Sequence, residues 1–343
     1  METILFLAHT EANGGLGKAA MEVLGAAVEL SQAQGATLIA GLYGADVQGA
    51  ADSVATCGAQ QFLAVYGAEF ENARYATDAA ACEALVRASA ATIVIAANTS
   101  RNARVMAGVA QRVDGYIDTH VNGAVDDAAT LKVTRWFYRQ RIEGSLTRSG
   151  RPWILLLDPG SHSPWGGDPG PVQLEQVEAS VTESLKRTTV KGFVSPSADQ
   201  QTIRPDADLL FVAGAGWTKK QKDGQPHVAD AERLILDFLG KSKASLGSSK
   251  SLVDLTGENQ AALRFLSHLN QVGQTGASPR HPKGLSTCCH GEEPHTVGWR
   301  FVGERRAINL DPNCGWARGK ADVLYVADAF EVMSRVNQLL RES

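Results

Sequence analysis

Ala91-Thr92-Ile93-Val94-Ile95-Ala96-Ala97 is an apolar run broken only by Thr92, and it passes through Asn98-Thr99-Ser100-Arg101 into a helical stretch that ends near Arg112. A strand apolar at successive positions, without alternation, has both faces covered and belongs inside a parallel sheet. Three shorter runs of this kind come earlier: Ile4 to Ala8, Ala36 to Leu42 and Gln61 to Val65. Helical stretches separate them, one opening at Asn13-Gly14-Gly15-Leu16-Gly17-Lys18 and running to about Leu30, another from Ala76 to Ala88. Strands alternating with helices predict a parallel sheet covered on both faces, so the fold class is α/β. Asn98 to Arg101 falls at the carboxyl end of a strand, where such sheets bind ligands, but the commoner role of Thr99 or Ser100 there is a helix N-cap. The glycines between Asn13 and Lys18 are followed by no GK[ST] and lack the GxGxxG spacing, and they read as a strand-to-helix turn.

The length of 343 residues predicts two domains. From Val121 to Leu157 the pattern turns to short β-like pieces, among them Lys132 to Tyr138 and Trp153 to Leu157, and Gly160 to Pro171 interrupts regular structure. Ser195-Pro196-Ser197-Ala198-Asp199 has the composition of a polar linker. The expected division is an α/β domain over 1–195, a linker and hinge over 196–206, and a second α/β domain over 207–343.

The second half opens with another buried strand, Ala207-Asp208-Leu209-Leu210-Phe211-Val212-Ala213, running into Gly214-Ala215-Gly216-Trp217. A strand that ends in glycines brings backbone N–H groups to a pyrophosphate. A helix from about Val228 to Leu239 follows, then a small hydroxyl-bearing loop, Gly247-Ser248-Ser249-Lys250. Next comes Leu269-Asn270-Gln271-Val272-Gly273-Gln274-Thr275-Gly276, whose glycines permit close backbone approach and whose amides and hydroxyl suit an anion or a heteroaromatic edge. Leu285 to Cys289, Arg306 to Pro312 and Val323 to Asp328 read as strands, with the loop His290 to His295 among them. A closing helix carries Phe330, Met333, Val336 and Leu340 at helical spacing, a core or subunit stripe.

A net charge of −4 and a pI near 6.1 argue against a nucleic-acid binder or an anionic-membrane binder. Five cysteines without a signal sequence argue against a disulfide framework, and no apolar run reaches the roughly 20 residues of a membrane span. The expected compartment is the cytoplasm, without direct membrane insertion.

The order of the loops in the second half resembles the FAD domain of the electron transfer flavoprotein alpha subunit family. Val272-Gly273-Gln274-Thr275-Gly276 is identical to that family's motif, and Ala307-Ile308-Asn309-Leu310-Asp311-Pro312 and Val326-Ala327-Asp328 match as well. In the first half, Asn13 to Glu22 and the helix Asn102 to Arg112 with Ile117-Asp118 are similar in pattern. The resemblance implies an N-terminal parallel-sheet domain that packs on a beta subunit and a C-terminal Rossmann-like FAD-binding domain. It implies electron transfer from donor dehydrogenases to a membrane quinone reductase, with AMP in the partner subunit, and no substrate chemistry on the chain itself. By position, Thr275 would stand near flavin N5, Gln271 and Gln274 at the ribityl and pyrophosphate region, and His295 near flavin O2. Asn309 and Asp311 would serve the adenosine portion, Ser248 the pyrophosphate, and Lys250 would replace an arginine over the ring. Gly214, Gly216, Val272, Gly273, Gly276, His290 and Asp328 complete the implied FAD site.

The chain also departs from the family. Ala213-Gly214-Ala215-Gly216 stands for Gly-Gly-Arg-Gly, which removes one arginine, and Lys250 keeps a charge without the planar fork of guanidinium. Cys288-Cys289-His290-Gly291-Glu292-Glu293-Pro294-His295 stands for Gly-Ile-Ser-Gly-Ala-Ile-Gln-His and adds two carboxylates near an anionic cofactor. Two alternatives follow: a scaffold subunit with weak or no flavin, and a metal site from Cys288, Cys289, His290 and His295, which lacks a CxxC pair. His9, His120 and His162 read as loop histidines.

Overall fold

The computed structural model describes residues 2–127, 130–138, 142–192, 203–204, 207–254, 263–273, 278, 280–287, 302–314 and 321–342. The chain forms two compact units, Met1–Phe193 and Val194–Ser343.

In the first unit, strands β1 (Thr3–His9), β2 (Thr37–Gly44), β3 (Gln61–Tyr66) and β4 (Ile93–Ala97) alternate with helices α1 (Lys18–Gln34), α2 (Gln48–Ser53), α3 (Tyr75–Ser89) and α4 (Ser100–Arg112). Strands β5 (Tyr116–Asp127), β6 (Thr130–Phe137), β7 (Ile142–Leu146), β8 (Trp153–Leu157) and β9 (Glu175–Gln176) follow. One sheet holds them in the order β7-β6-β5-β8-β4-β1-β2-β3-β9. Every neighbour from β5 through β8 to β9 is parallel. The unbroken apolar runs are explained by burial on both sides. Ile4, Phe6 and Ala8 join Leu24 and Leu30 of α1, while Leu5 and Leu7 join Leu85 of α3 and Met106 of α4.

The predicted parallel sheet carries an addition. Strands β5, β6 and β7 form an antiparallel arm, because β5 ends at Asp127 and β6 begins at Thr130, too short a connection for a crossover. Asp118, 1% exposed, holds the arm to the sheet. It accepts from Arg135 Nη1 at 3.0 Å, Arg148 Nε at 2.6 Å and Trp153 Nε1 at 2.9 Å. The Gly- and Pro-rich stretch after β8 is irregular, as its composition predicts, but it is strapped to α1. Gly160 N donates to Glu22 Oε2 at 2.6 Å and Trp165 N to the Met21 carbonyl at 2.9 Å. Gly25 leaves the room: a Cβ there would lie 2.5 Å from the Ser163 carbonyl oxygen.

The second unit holds β10 (Leu209–Ala213), α5 (Val228–Ser242), β11 (Ser245–Ser248), α6 (Lys250–Asp254), β12 (His281–Thr287), β13 (Val302–Asn309), β14 (Val323–Val326) and α7 (Ala329–Glu342). Its sheet is wholly parallel, in the order β11-β10-β12-β13-β14. Counted within the unit this is 2-1-3-4-5, a doubly wound order whose switch point lies between β10 and β12. Phe211 and Ala213 pack on Ile235 and Phe238 of α5 and Met333 of α7, while Leu210 and Val212 pack on Val272 and Ala307. The closing stripe belongs to this core: Met333 is fully buried and Phe330, Val336 and Leu340 pack around it.

Candidate functional site

The carboxyl edge of the second sheet gathers most of the described residues that the sequence singles out. Beyond β10 the chain enters a tight 3-10 turn over Ala215–Thr218. Gly214 N donates to the Thr287 carbonyl at 2.8 Å, and the Trp217 indole donates to Thr287 Oγ1 at 2.8 Å, so the glycine turn is pinned across β10 and β12. Trp217 is fully buried and is a support the sequence reading missed; an aromatic directly after the glycines was its only signal.

Gly247 to Lys250, expected as a loop, instead ends strand β11 and starts α6. Small residues are needed here because the following turn comes close. Val272 N donates to the Ser248 carbonyl at 3.1 Å, Ser248 and Gln271 form a parallel bridge, and a Cβ on Gly247 would lie 2.5 Å from Val272 Cγ2. Gly273 has φ +79°, which favours glycine, and its N–H donates to Ser278 Oγ at 2.6 Å. Asn270, 1% exposed, anchors the turn through Nδ2 to the Leu246 carbonyl at 3.3 Å. Ser248 is fully buried, and its Oγ has no hydrogen-bond partner among the described residues. Lys250 is 62% exposed, with Nζ 3.9 Å from Asp254 Oδ2.

A concavity of about 290 Å³ lies along the same edge, lined by Gly216, Gln221, Ile308, Asn309, Leu310 and Asp328 among others. It unites three predicted positions, Gly216, Asn309 and Asp328. Asp311 does not join them. It is exposed and shapes the turn, its N–H donating to Asn309 Oδ1 at 3.0 Å and its Oδ1 accepting from Asn313 N at 2.8 Å. Asp328 Oδ1 accepts from Phe330 N at 2.9 Å and so caps α7. Gln274, Thr275, Gly276, His290 and His295 lie outside the described residues, as do Cys288, Cys289, Glu292, Glu293 and most of the 196–206 segment. Among the described residues there is no group of three metal-ligating side chains.

The first unit has its own crevice of about 300 Å³ at the carboxyl ends of β1 and β4, lined by His9, Glu11, Gly17, Thr99 and Asn102 among others. Burial, then the charge of Arg101, push the His9 imidazole below its ordinary value. Thr99 is the N-cap of α4, accepting from Asn102 N at 3.4 Å. Arg101 turns away to make a bidentate pair with the buried Asp78, at 2.9 and 2.8 Å. His120, at φ +56°, stands 3.1 Å from Asp158 Oδ1 and 3.2 Å from Asn98 Nδ2, and His162 Nε2 stands 2.9 Å from Glu29 Oε2.

Fold and site together define a two-unit α/β protein with its polar, glycine-bearing turns at the carboxyl edges of its sheets. Residues 4–184, more than half of the chain, match the electron transfer flavoprotein domain, and the chain belongs to the electron transfer flavoprotein family. No curated protein matches it. Membership gives it an electron-transfer-flavoprotein-like role. No described helix is long and apolar enough to cross a membrane.

Proposed function

We propose that the chain is the alpha subunit of an electron transfer flavoprotein, holding FAD non-covalently in its second unit and working as a heterodimer with a beta subunit. The observation that carries this reading is the orphaned Ser248 hydroxyl. An unsatisfied buried hydroxyl costs about 1–3 kcal/mol, and here it sits beside the Val272–Gly273 turn, on the sheet edge that also bears Gly216, Asn309 and Asp328. A pyrophosphate oxygen would give it a partner. In this reading the Gly214–Gly216 backbone and Ser248 cradle the pyrophosphate, Gln271 and Gln274 bind the adjoining chain, and Asn309 and Asp328 serve the adenosine portion, with Asp311 acting through the turn it shapes beside Asn309. Thr275 would serve flavin N5 and His295 flavin O2, with His290 in the same site, and the exposed Lys250 supplies a cation over the ring. FAD when bound supplies the one- and two-electron chemistry; the protein orients it and sets its potential. Electrons pass from donor dehydrogenases towards a membrane quinone reductase, the partner subunit carries AMP, and residues 196–206 act as the hinge of the flavin unit.

The test is a visible spectrum of the complex co-expressed with its beta subunit. A yellow complex that releases FAD on denaturation is expected; a colourless complex that takes up no added FAD ends the reading. Ala215, only 1% exposed where the family has arginine, favours a second reading, a scaffold subunit with weak flavin binding. Under it, Ala215→Arg with Lys250→Arg raises the flavin stoichiometry; under the first, stoichiometry is already near one and does not change.

A further inference from the structure

The concavity beside Gly216 contains a residue to which neither composition nor motif assigns a task. Gln221 lies on its wall, at the base of a hairpin closed by a bridge between Lys220 and Pro226. The hairpin is tight: Gln221 N donates to the Gln225 carbonyl at 3.0 Å, Gly224 N donates to the Gln221 carbonyl at 2.9 Å, and Gly224 turns the chain at φ +81°. Its side chain is equally fixed. Nε2 donates to the Gly216 carbonyl at 3.1 Å and to the Lys219 carbonyl at 2.7 Å. Two carbonyl oxygens can be met only by the nitrogen of a carboxamide, so the orientation of the amide follows from its partners. Both amide protons are thereby used, and Oε1 is left as an acceptor with no hydrogen bond to a described residue. The neighbouring polar groups have tasks within the chain: Asn309 Oδ1 takes the Asp311 N–H and Asp328 Oδ1 takes the Phe330 N–H.

We propose that Gln221 is a specificity residue for the adenine end of the cofactor, its oriented carboxamide oxygen accepting a hydrogen bond from the exocyclic amine of the base. The inference rests on the FAD reading above and deepens it. A fixed acceptor selects a 6-amino purine and opposes a 6-oxo purine, which presents a second acceptor at the same edge. A lost hydrogen bond combined with an unpaired polar group typically costs about tenfold or more in binding.

The experiment measures calorimetric Kd values of the flavin-stripped heterodimer for FAD, for its deaminated analogue carrying a 6-oxo purine, and for FMN. The wild type is expected to prefer FAD over the deaminated analogue by about tenfold. Gln221→Met, which keeps the length of the side chain but has no acceptor oxygen, is expected to bring that ratio to within about twofold while leaving the FMN affinity unchanged. A preference that survives in Gln221→Met, or FMN binding that weakens in parallel with FAD, overturns the proposal, the second because it marks Gln221 as a mere support of the hairpin. Wild-type protein that binds FAD and the deaminated analogue equally also overturns it, with the cofactor reading intact. Wild-type protein that binds neither removes the cofactor reading and this inference with it.

Discussion

Ser248 presents a buried hydroxyl without a hydrogen-bond partner among the described residues, and its two possible fates separate by experiment. Removing an unpartnered buried hydroxyl relieves desolvation, so Ser248→Ala is expected to leave the melting temperature of the flavin-free protein unchanged or raised. The same change removes a hydrogen bond to a charged acceptor, about 1.5 kcal/mol or more, and is expected to weaken FAD binding roughly tenfold in a calorimetric titration. A Ser248→Ala protein that melts lower and binds FAD normally would identify the hydroxyl as structural. The residue scale is also where the sequence misleads. Gly247 and Ser248 have loop composition yet form a strand, because Val272 crosses so closely that no larger side chain fits at Gly247. A signal of that kind comes from a partner more than twenty residues away and is invisible locally. Gln221 is silent for a similar reason, since its meaning arises from the carbonyls of Gly216 and Lys219, which a folded turn brings to it.

At the scale of elements, the arm of β5, β6 and β7 hangs on Asp118. Burial works to raise this carboxyl, but the hydrogen bonds of Arg148 and Trp153, with Arg135 behind them, hold it below the ordinary aspartate value. A carboxylate whose folded value is depressed contributes stability that is complete above its unfolded value, near about 3.9, and is lost as the pH falls towards the folded value. Asp118→Asn is therefore expected to destabilise the protein at pH 7 and to flatten the acid limb of its stability profile below about pH 4. Breaking a buried pair typically costs about 3–5 kcal/mol; with Arg148 37% exposed, about 2 kcal/mol is expected, measured by urea unfolding at pH 7 and pH 4. An unchanged acid limb would remove Asp118 as its source. The central strands β1, β2, β3, β4 and β10 and the longer helices were legible, because an unbroken apolar run and a helical stripe are local patterns. Thr99 as N-cap and the Met333 stripe were legible for the same reason. The arm was legible only as β-like pieces, Lys132 to Tyr138 among them, most of which falls in β6; its antiparallel pairing was not, because its charges pair Asp118 with Arg135 and Arg148 across intervals that no periodicity marks.

At the scale of the molecule, the chain has two units, each with cores of its own. Calorimetry is expected to resolve two transitions, and FAD at about 100 times its Kd should stabilise only the second unit, by about 2.7 kcal/mol, a shift of several degrees. A shift of both transitions, or of neither, would contradict the assignment of FAD to the second unit. Each unit also encloses a fully buried indole, Trp153 in β8 of the first and Trp217 in the glycine turn of the second. Their surroundings differ in chemistry. Trp153 Nε1 donates to a carboxylate, while Trp217 donates to a hydroxyl and leans on the Phe330 ring at a centroid distance of 4.6 Å. Among the six tryptophans of the chain, each of these two reports its own unit by difference. The difference in emission between wild type and Trp153→Phe isolates the buried indole of the first unit, and that between wild type and Trp217→Phe the buried indole of the second, so the melting around each can be followed without any added dye.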